Sequence, residues 1–244
     1  MRSWKKTVCQ NGRNNALWVF RNVSNANGGV FYHTPALDED YGKVYPSSHS
    51  SITLGCVGRA VNFNDDIVFF SDRGMESAST DITSEQFATH RSSLVDRKLL
   101  TNDRYKNMIL AEYNGYLFVF IGSEAYLADS RAVLQNENHI EYEWYYWNFG
   151  DYKVTCATVH NDVMYLGMVD KHGSGFIQTL TRDPKEGDQF MDENEEIQSY
   201  WVTPKDTFNA PNKLKTTNKK GCVVEALGDL DIYVKTDDIS DFEL

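Results

Sequence analysis

The side chains of this 244-residue chain that could do chemistry are its carboxylates, six histidines and four cysteines, and their spacing argues against most of it. Hydrolysis of a glycosidic bond needs two carboxylates converging on one cleft, one handling a proton and the other a water. The segments that read as the innermost strand of each repeat are 57–63, 108–113, 154–159 and 223–226, and they carry only Glu112 and Glu225. Glu141 and Glu143 alternate along an outer strand, where a solvated polar face is the expected explanation. His33, His49, His90, His139, His160 and His172 are dispersed. Cys156 and His160 superficially have metal-ligand spacing. On a strand, however, residues four apart lie about 13 Å apart, and no second pair completes a tetrahedral site. His172-Gly-Ser-Gly175 lacks the strand–turn–helix setting of a nucleophile elbow and reads as a hairpin turn. No phosphate-cradling loop is present, and Asp237, Asp238 and Asp241 lack calcium-loop spacing. The expectation is a protein with no catalytic residue, no metal and no cofactor.

The elements that must position these residues announce themselves by repetition. Asn14-Asn15, Asp65-Asp66, Asn114-Gly115 and Asn161-Asp162 each precede a short apolar run. They recur at intervals of roughly 47 to 51 residues, within the range of propeller blades and other repeat arrays. Asn-Gly between two apolar runs is a type I′ hairpin signal. The third unit is the clearest: strands at 108–113, 116–121 and 125–128, a polar loop at 135–139, and an outer strand at 140–147. The fourth repeats the plan with 153–159, 163–168, 176–180 and an outer strand at 197–203, after an acidic surface loop at 181–196. The second has 56–63, 67–71 and 75–80, then a charged and partly helical portion over 84–104, with Ser92 or Ser93 as a cap. The first is weakest, with strands at 17–20 and 30–33 and a Pro/Ser/Gly-rich loop over 41–51.

These signals predict an all-β, propeller-like array of four-stranded antiparallel blades in a single domain. The approximate units are 7–55, 56–107, 108–152 and 153–204, with a partial unit at 221–236. The remnant fits two arrangements: a ring closed by strands from both termini, or a piece of something longer with protected ends.

Composition supports sheet. The aromatic fraction is 13%, and aromatic and β-branched residues suit a pleated, half-buried surface. The net charge of −11 opposes sequence-independent binding to nucleic acid, and Lys213, Lys215, Lys219 and Lys220 read as a solvated edge. Scattered cysteines without a CxxC pair read as small buried hydrophobes made in a reducing cytosol. The start of the chain has no apolar segment of a signal peptide, and no apolar stretch is long enough to span a bilayer. What remains is surface. Trp144-Tyr-Tyr-Trp147 puts rings on both faces of one strand, and these four, with Tyr200 and Trp201, are the expected structural or interface anchors.

The order of motifs resembles a family. Asp66-Ile-Val-Phe-Phe-Ser-Asp-Arg-Gly74 is followed by Leu94-Val-Asp96, Ala111-Glu-Tyr-Asn-Gly-Tyr-Leu-Phe-Val-Phe120 and Tyr126-Leu-Ala-Asp-Ser-Arg131. Glu143-Trp-Tyr-Tyr-Trp147, Val154-Thr-Cys156, Asp162-Val-Met-Tyr-Leu-Gly167, Ser199-Tyr-Trp-Val-Thr-Pro204 and Lys213-Leu-Lys215 complete the series. This order, over roughly residues 60 to 236, resembles the structural propellers of short-tailed phages, the nozzle or head–tail stabilisation proteins. The resemblance implies a non-enzymatic virion protein of a phage tail or neck. It would form a ring of six copies or a multiple below the portal, contact neighbouring tail or portal proteins, and let DNA pass without reading its sequence. A cytoplasmic protein-interaction propeller and a glycan- or receptor-binding propeller are the alternatives.

Overall fold

A computed structural model describes residues 6–11, 16–22, 29–33, 36–64, 66–80, 86–136, 139–181, 191–192, 195–196, 198–202, 231 and 233. The chain falls into two compact units, Met1–Gln189 and Phe190–Leu244. The described structure is all-β and antiparallel, in sheets of two to four strands with little helix.

In the first unit, sheet 1 holds β1 (Lys6–Asn11), β2 (Ala16–Arg21) and β3 (Val30–His33). A side hairpin of β4 (Ala36–Asp38) and β5 (Gly42–Val44) then leads to β6 (Ser47–His49), the fourth strand of the same sheet. The span 41–51, read from sequence as loop, therefore contains strand. Its backbone pairs with β3 even though its Ser- and Pro-rich composition gives no apolar alternation. Sheet 2 runs through β7 (Ala60–Phe63), β8 (Asp66–Ser71), β9 (Gly74–Thr80) and β10 (Gln86–His90). Two expectations change here. The first strand begins at Ala60 rather than Cys56, although Val57 and Gly58 still donate to the Phe70 carbonyl. The outer portion opens with a true fourth strand, and helix is confined to α1 (Asp96–Leu99) and a 3₁₀ turn at Tyr105–Asn107. Neither Ser92 nor Ser93 caps α1, whose N-cap is Val95 without a side-chain bond.

Sheet 3 is a four-stranded meander of β11 (Ile109–Tyr113), β12 (Tyr116–Ile121), β13 (Glu124–Asn136) and β14 (His139–Asn148). The polar segment read as a loop at 135–139 is mostly strand, because β13 and β14 continue their ladder past a bulge to Asn136↔His139. Sheet 4 has three strands, β15 (Lys153–His160), β16 (Val163–Val169) and β17 (Gly175–Thr181). The expected fourth strand at 197–203 does not form across its described residues, 198–202.

The hairpin chemistry follows the sequence. Asn114 and Gly115 have φ of 52° and 80°, and Asn161 and Asp162 have 49° and 57°, the two positive values a type I′ turn requires. Each closes a two-residue loop, Tyr113↔Tyr116 and His160↔Val163. The turn of the second sequence repeat falls one residue early, between Phe63 and Asp66, with Asn64 at φ 51°.

The apolar runs are unbroken because the interior strands are buried on both faces. On β8, Ile67 and Phe69 join Trp18, Phe20 and Val30 of sheet 1, while Val68 and Phe70 join Leu117, Val119 and Ile121 of sheet 3. On β12, Leu117, Val119 and Ile121 face that shared core, and Phe118 and Phe120 pack with Met164, Leu166 and Met168 of sheet 4. A strand covered on one side only would have alternated apolar and polar residues. The sheets therefore stack face to face in chain order. The first strands run side by side in two pairs, β1 with β7 and β11 with β15, and the outer strands β10 and β14 approach one another.

In the second unit, β18 (Met191–Asp192) pairs with β19 (Glu195–Glu196) inside the segment read as an acidic loop. Tyr200, Trp201 and Val202 are exposed and belong to no strand. The partial unit at 221–236, with Glu225 and the lysine and aspartate clusters around it, lies outside the described residues apart from Asp231 and Tyr233.

Candidate functional site: an aromatic groove and a histidine clasp

The four rings of Trp144 to Trp147 are divided by the pleat of β14. Trp144 and Tyr146 turn toward sheet 2 and pack against its shared core with sheet 3. The Trp144 indole donates to the Arg91 carbonyl at 3.2 Å, just beyond the end of β10. The Tyr146 hydroxyl donates to Glu124 at 3.0 Å, and the Lys98 ammonium lies 4.7 Å from its ring centre. Tyr145 and Trp147 turn the other way, 42% and 39% exposed. Each stands edge-on to a ring of β12: Tyr145 to Tyr116 at 6.1 Å, and Trp147 to Phe118 at 5.5 Å. Such pairs add roughly 0.5–1.5 kcal/mol beyond their burial.

With Tyr113 of β11, Leu127 of β13 and Leu180 of β17, the Tyr116, Phe118, Tyr145 and Trp147 rings line a groove of about 310 Å³. It has a simple cause. β14 is the fourth strand of sheet 3, and among the described residues sheet 4 ends at β17 with no fourth strand to cover it. The rim is fixed by Arg131, which donates twice to Asp129 at 2.9 Å and lies 4.4 Å from the Tyr116 ring centre. Those donated bonds hold the Asp129 carboxyl below the usual carboxylate range. Tyr200 and Trp201, the other two expected anchors, are in the second unit, 82% and 86% exposed.

A second constellation escapes sequence reasoning. His90 lies directly opposite Glu76 on neighbouring strands. Its Nδ1 is 3.1 Å from the Glu76 carboxylate and its Nε2 is 2.6 Å from Asp96 at the start of α1. Gly74 makes room, since a Cβ there would run into Ser92 and the His90 ring. Glu76 is fully buried, and one of its oxygens has no partner among the described residues. The hydrogen bond to Glu76, aided by Asp96 and opposed by burial, pushes the His90 imidazole up to about 9. It is an imidazolium at neutral pH, with both nitrogens engaged. The neighbouring Ser92 hydroxyl bonds Asp96 at 2.5 Å and accepts the Met75 N–H, so it is aimed at the carboxylate rather than the ring. A charged histidine cannot take a proton from a nucleophile. The arrangement joins α1 to the edge of sheet 2.

The remaining candidates stay apart. Glu112 is exposed on β11. Glu141, read as part of a solvated face, is buried and accepts a hydrogen bond from Ser93, because the β14 end of sheet 3 approaches β10 and the turn after it. Cys156 and His160 are both exposed on β15, and no group of three histidine, cysteine or acidic residues among the described residues could hold a metal. Cys56 is buried and neither it nor Cys156 is in a disulfide. His172-Gly-Ser-Gly175 forms the β16–β17 turn, with the His172 and Ser174 N–H groups donating to Asp170 at 2.8 Å. No helix is long and apolar enough to cross a membrane among the described residues. One signal for the clasp was in the sequence: Glu76 is the one charged residue in the run Gly74–Thr80, directly after the apolar run 67–70, a place where an unpaired charge would be costly.

No protein-family model matches the chain, and no curated protein is similar to it.

Proposed function

We propose that this protein is a non-enzymatic structural component of a phage tail or neck. In this reading its sheets are propeller blades fanned about an axis, and copies assemble as a ring extending the DNA conduit below the portal. The observation that carries the reading is the packing of the first unit. Sheets 2 and 3 are covered on both faces by neighbouring sheets, whereas the rings on β14 and the far face of sheet 4 keep apolar surface uncovered: Tyr145, Trp147 and Ile177, the last 74% exposed. Surface of that kind is used for association more often than for chemistry. The Glu76–His90–Asp96 cluster, in which Glu76 alone is buried, is tied up in holding α1.

An excess of 35 acidic over 24 basic residues fits a conduit that DNA crosses without sticking. The chain's mass by light scattering after size exclusion, with negative-stain micrographs of the same fraction, tests the proposal. A closed ring of six copies or a multiple is expected. A stable monomer would instead favour an interaction platform. Selective retention on a glycan array would favour a sugar-binding propeller.

A further inference from the structure

We propose that the side hairpin of one copy, residues 36–45, docks on the basic strip of a neighbouring copy, residues 94–106. The inference rests on the ring-assembly reading above and names one joint of the ring. Both surfaces belong to the first compact unit.

The hairpin brings acid and apolar surface together. Among the described residues β4 and β5 pair only with each other, as Ala36↔Val44, Leu37↔Lys43 and Asp38↔Gly42. The pleat turns Ala36 and Val44 to one face, where both are half-buried, and Leu37 and Lys43 to the other. Leu37 is 90% exposed and Tyr41, at the tip, 83%. A two-stranded hairpin is marginal in water unless something packs on its apolar face. Its tip is already shaped: the Asp38 carboxylate accepts the Asp40 and Tyr41 N–H groups at 3.0 Å, and Gly42 has φ 71°. Glu39 and Asp40 stand exposed beside the leucine and the tyrosine.

The strip has the complementary chemistry. Copies of a chain with net charge −11 repel one another except where the local charge is reversed. Residues 94–106 carry Arg97, Lys98, Arg104 and Lys106, all exposed, against two aspartates, and one of these, Asp96, is already engaged by His90. Lys98 lies over the Tyr146 ring, but among the described residues no carboxylate pairs with Arg97, Arg104 or Lys106. Leu94, 60% exposed, and Leu100 stand among these cations. Buried Leu99, and Tyr105 donating to the Ser71 carbonyl, hold the strip as a firm surface. Docking sets Glu39 and Asp40 against the cations and Leu37 and Tyr41 against the leucines. Two hairpins facing each other would instead oppose like charges and stop at a pair. Hairpin and strip are different surfaces of one chain, so their contact is head-to-tail and repeats until the rotation closes.

The test reverses the charge of one side at a time in the full chain. One variant carries Glu39→Lys with Asp40→Lys, leaving Asp38 to hold the turn. The other carries Arg97→Glu with Lys106→Glu. Alone, each sets like charges together at every joint and should assemble about tenfold more weakly or worse, read by light scattering after size exclusion. Mixed in equal amounts, the two variants are complementary. The reversed tip of one meets the reversed strip of the other, the native tip meets the native strip, and a ring of even copy number alternates them. The mixture should regain the mass of the unmodified assembly. Unchanged assembly of either variant alone, or a mixture that does not recover, overturns the joint. Exposed substitutions change stability little, so both variants should keep the unmodified urea midpoint. For one that does not, the neutral pair, Glu39→Gln with Asp40→Asn or Arg97→Gln with Lys106→Gln, takes its place, with the same direction and a smaller effect. An oligomer indifferent to both reversals overturns the joint alone, whereas an unmodified chain that is monomeric at all concentrations overturns the ring reading as well.

Discussion

The two faces of sheet 3 differ in one respect, whether a strand among the described residues stands opposite β14. Toward sheet 2, β10 stands opposite β14. There Trp144 reaches a backbone carbonyl, Tyr142 is buried against Phe63, and the shared core closes with Phe70, Met108 and Leu117 fully buried. Toward sheet 4, the same strand has no counterpart among the described residues, and Tyr145 and Trp147 are left half in solvent. Residue type is nearly constant between the faces. The lesson is that an aromatic side chain becomes core or exposed surface according to what the next sheet supplies, not according to its own chemistry.

Four substitutions test that contrast. Phe70→Ala, on the closed side, is expected to have the largest effect, about 3–5 kcal/mol of unfolding free energy, since a fully buried ring leaves a cavity. Urea denaturation reads it directly. His90→Ala should follow closely, costing about 3 kcal/mol at pH 6 because it removes the shortest partner of the buried Glu76 carboxylate and leaves it only Ser71 and Arg73, both at 3.4 Å. The same histidine gives a pH signature with a definite sign. Its imidazole titrates at about 9 in the folded protein, against an ordinary 6.5. The stabilisation is therefore complete below about pH 6.5 and is lost as pH rises toward 9, roughly 3 kcal/mol in all. A stability profile flat between pH 6.5 and 9 in the unmodified protein would remove the clasp.

Trp144→Ala comes next. It deletes the indole bond to Arg91 and part of the closed core, so roughly 1–3 kcal/mol of stability should go while assembly persists. Trp147→Ala should be smallest for the isolated chain, under about 1 kcal/mol, because its ring is only half-covered. Its effect belongs in the assembled mass, which should fall. If Trp144→Ala abolished assembly and Trp147→Ala destabilised the monomer, the assignment of the two faces would be reversed.

Much of the scaffold was legible along the chain. Asn114-Gly115 and Asn161-Asp162 are residues that tolerate positive φ, and they fold as the type I′ turns they predict. Ile67 to Phe70 and Tyr116 to Ile121 lack polar alternation because each lies between two sheets. Less legible were the strands with weak side-chain signals. β6 and the lower part of β13 are held by backbone pairing to strong neighbours, and backbone pairing leaves no trace in residue type. The buried Glu141 was misjudged for a related reason: alternation identifies a face but not what approaches it.

Local chemistry alone determined the hairpins, their period and the double-sided burial of the central runs, since turn dihedrals and apolar patterning act between residues close in sequence. Only the tertiary structure decided which rings stay open and that His90 meets two carboxylates. Both depend on elements brought together by sheet stacking: β14 against a three-stranded neighbour, and α1 against the edge of sheet 2. Contacts of that range are set by the packing of whole faces, which no short window of sequence contains.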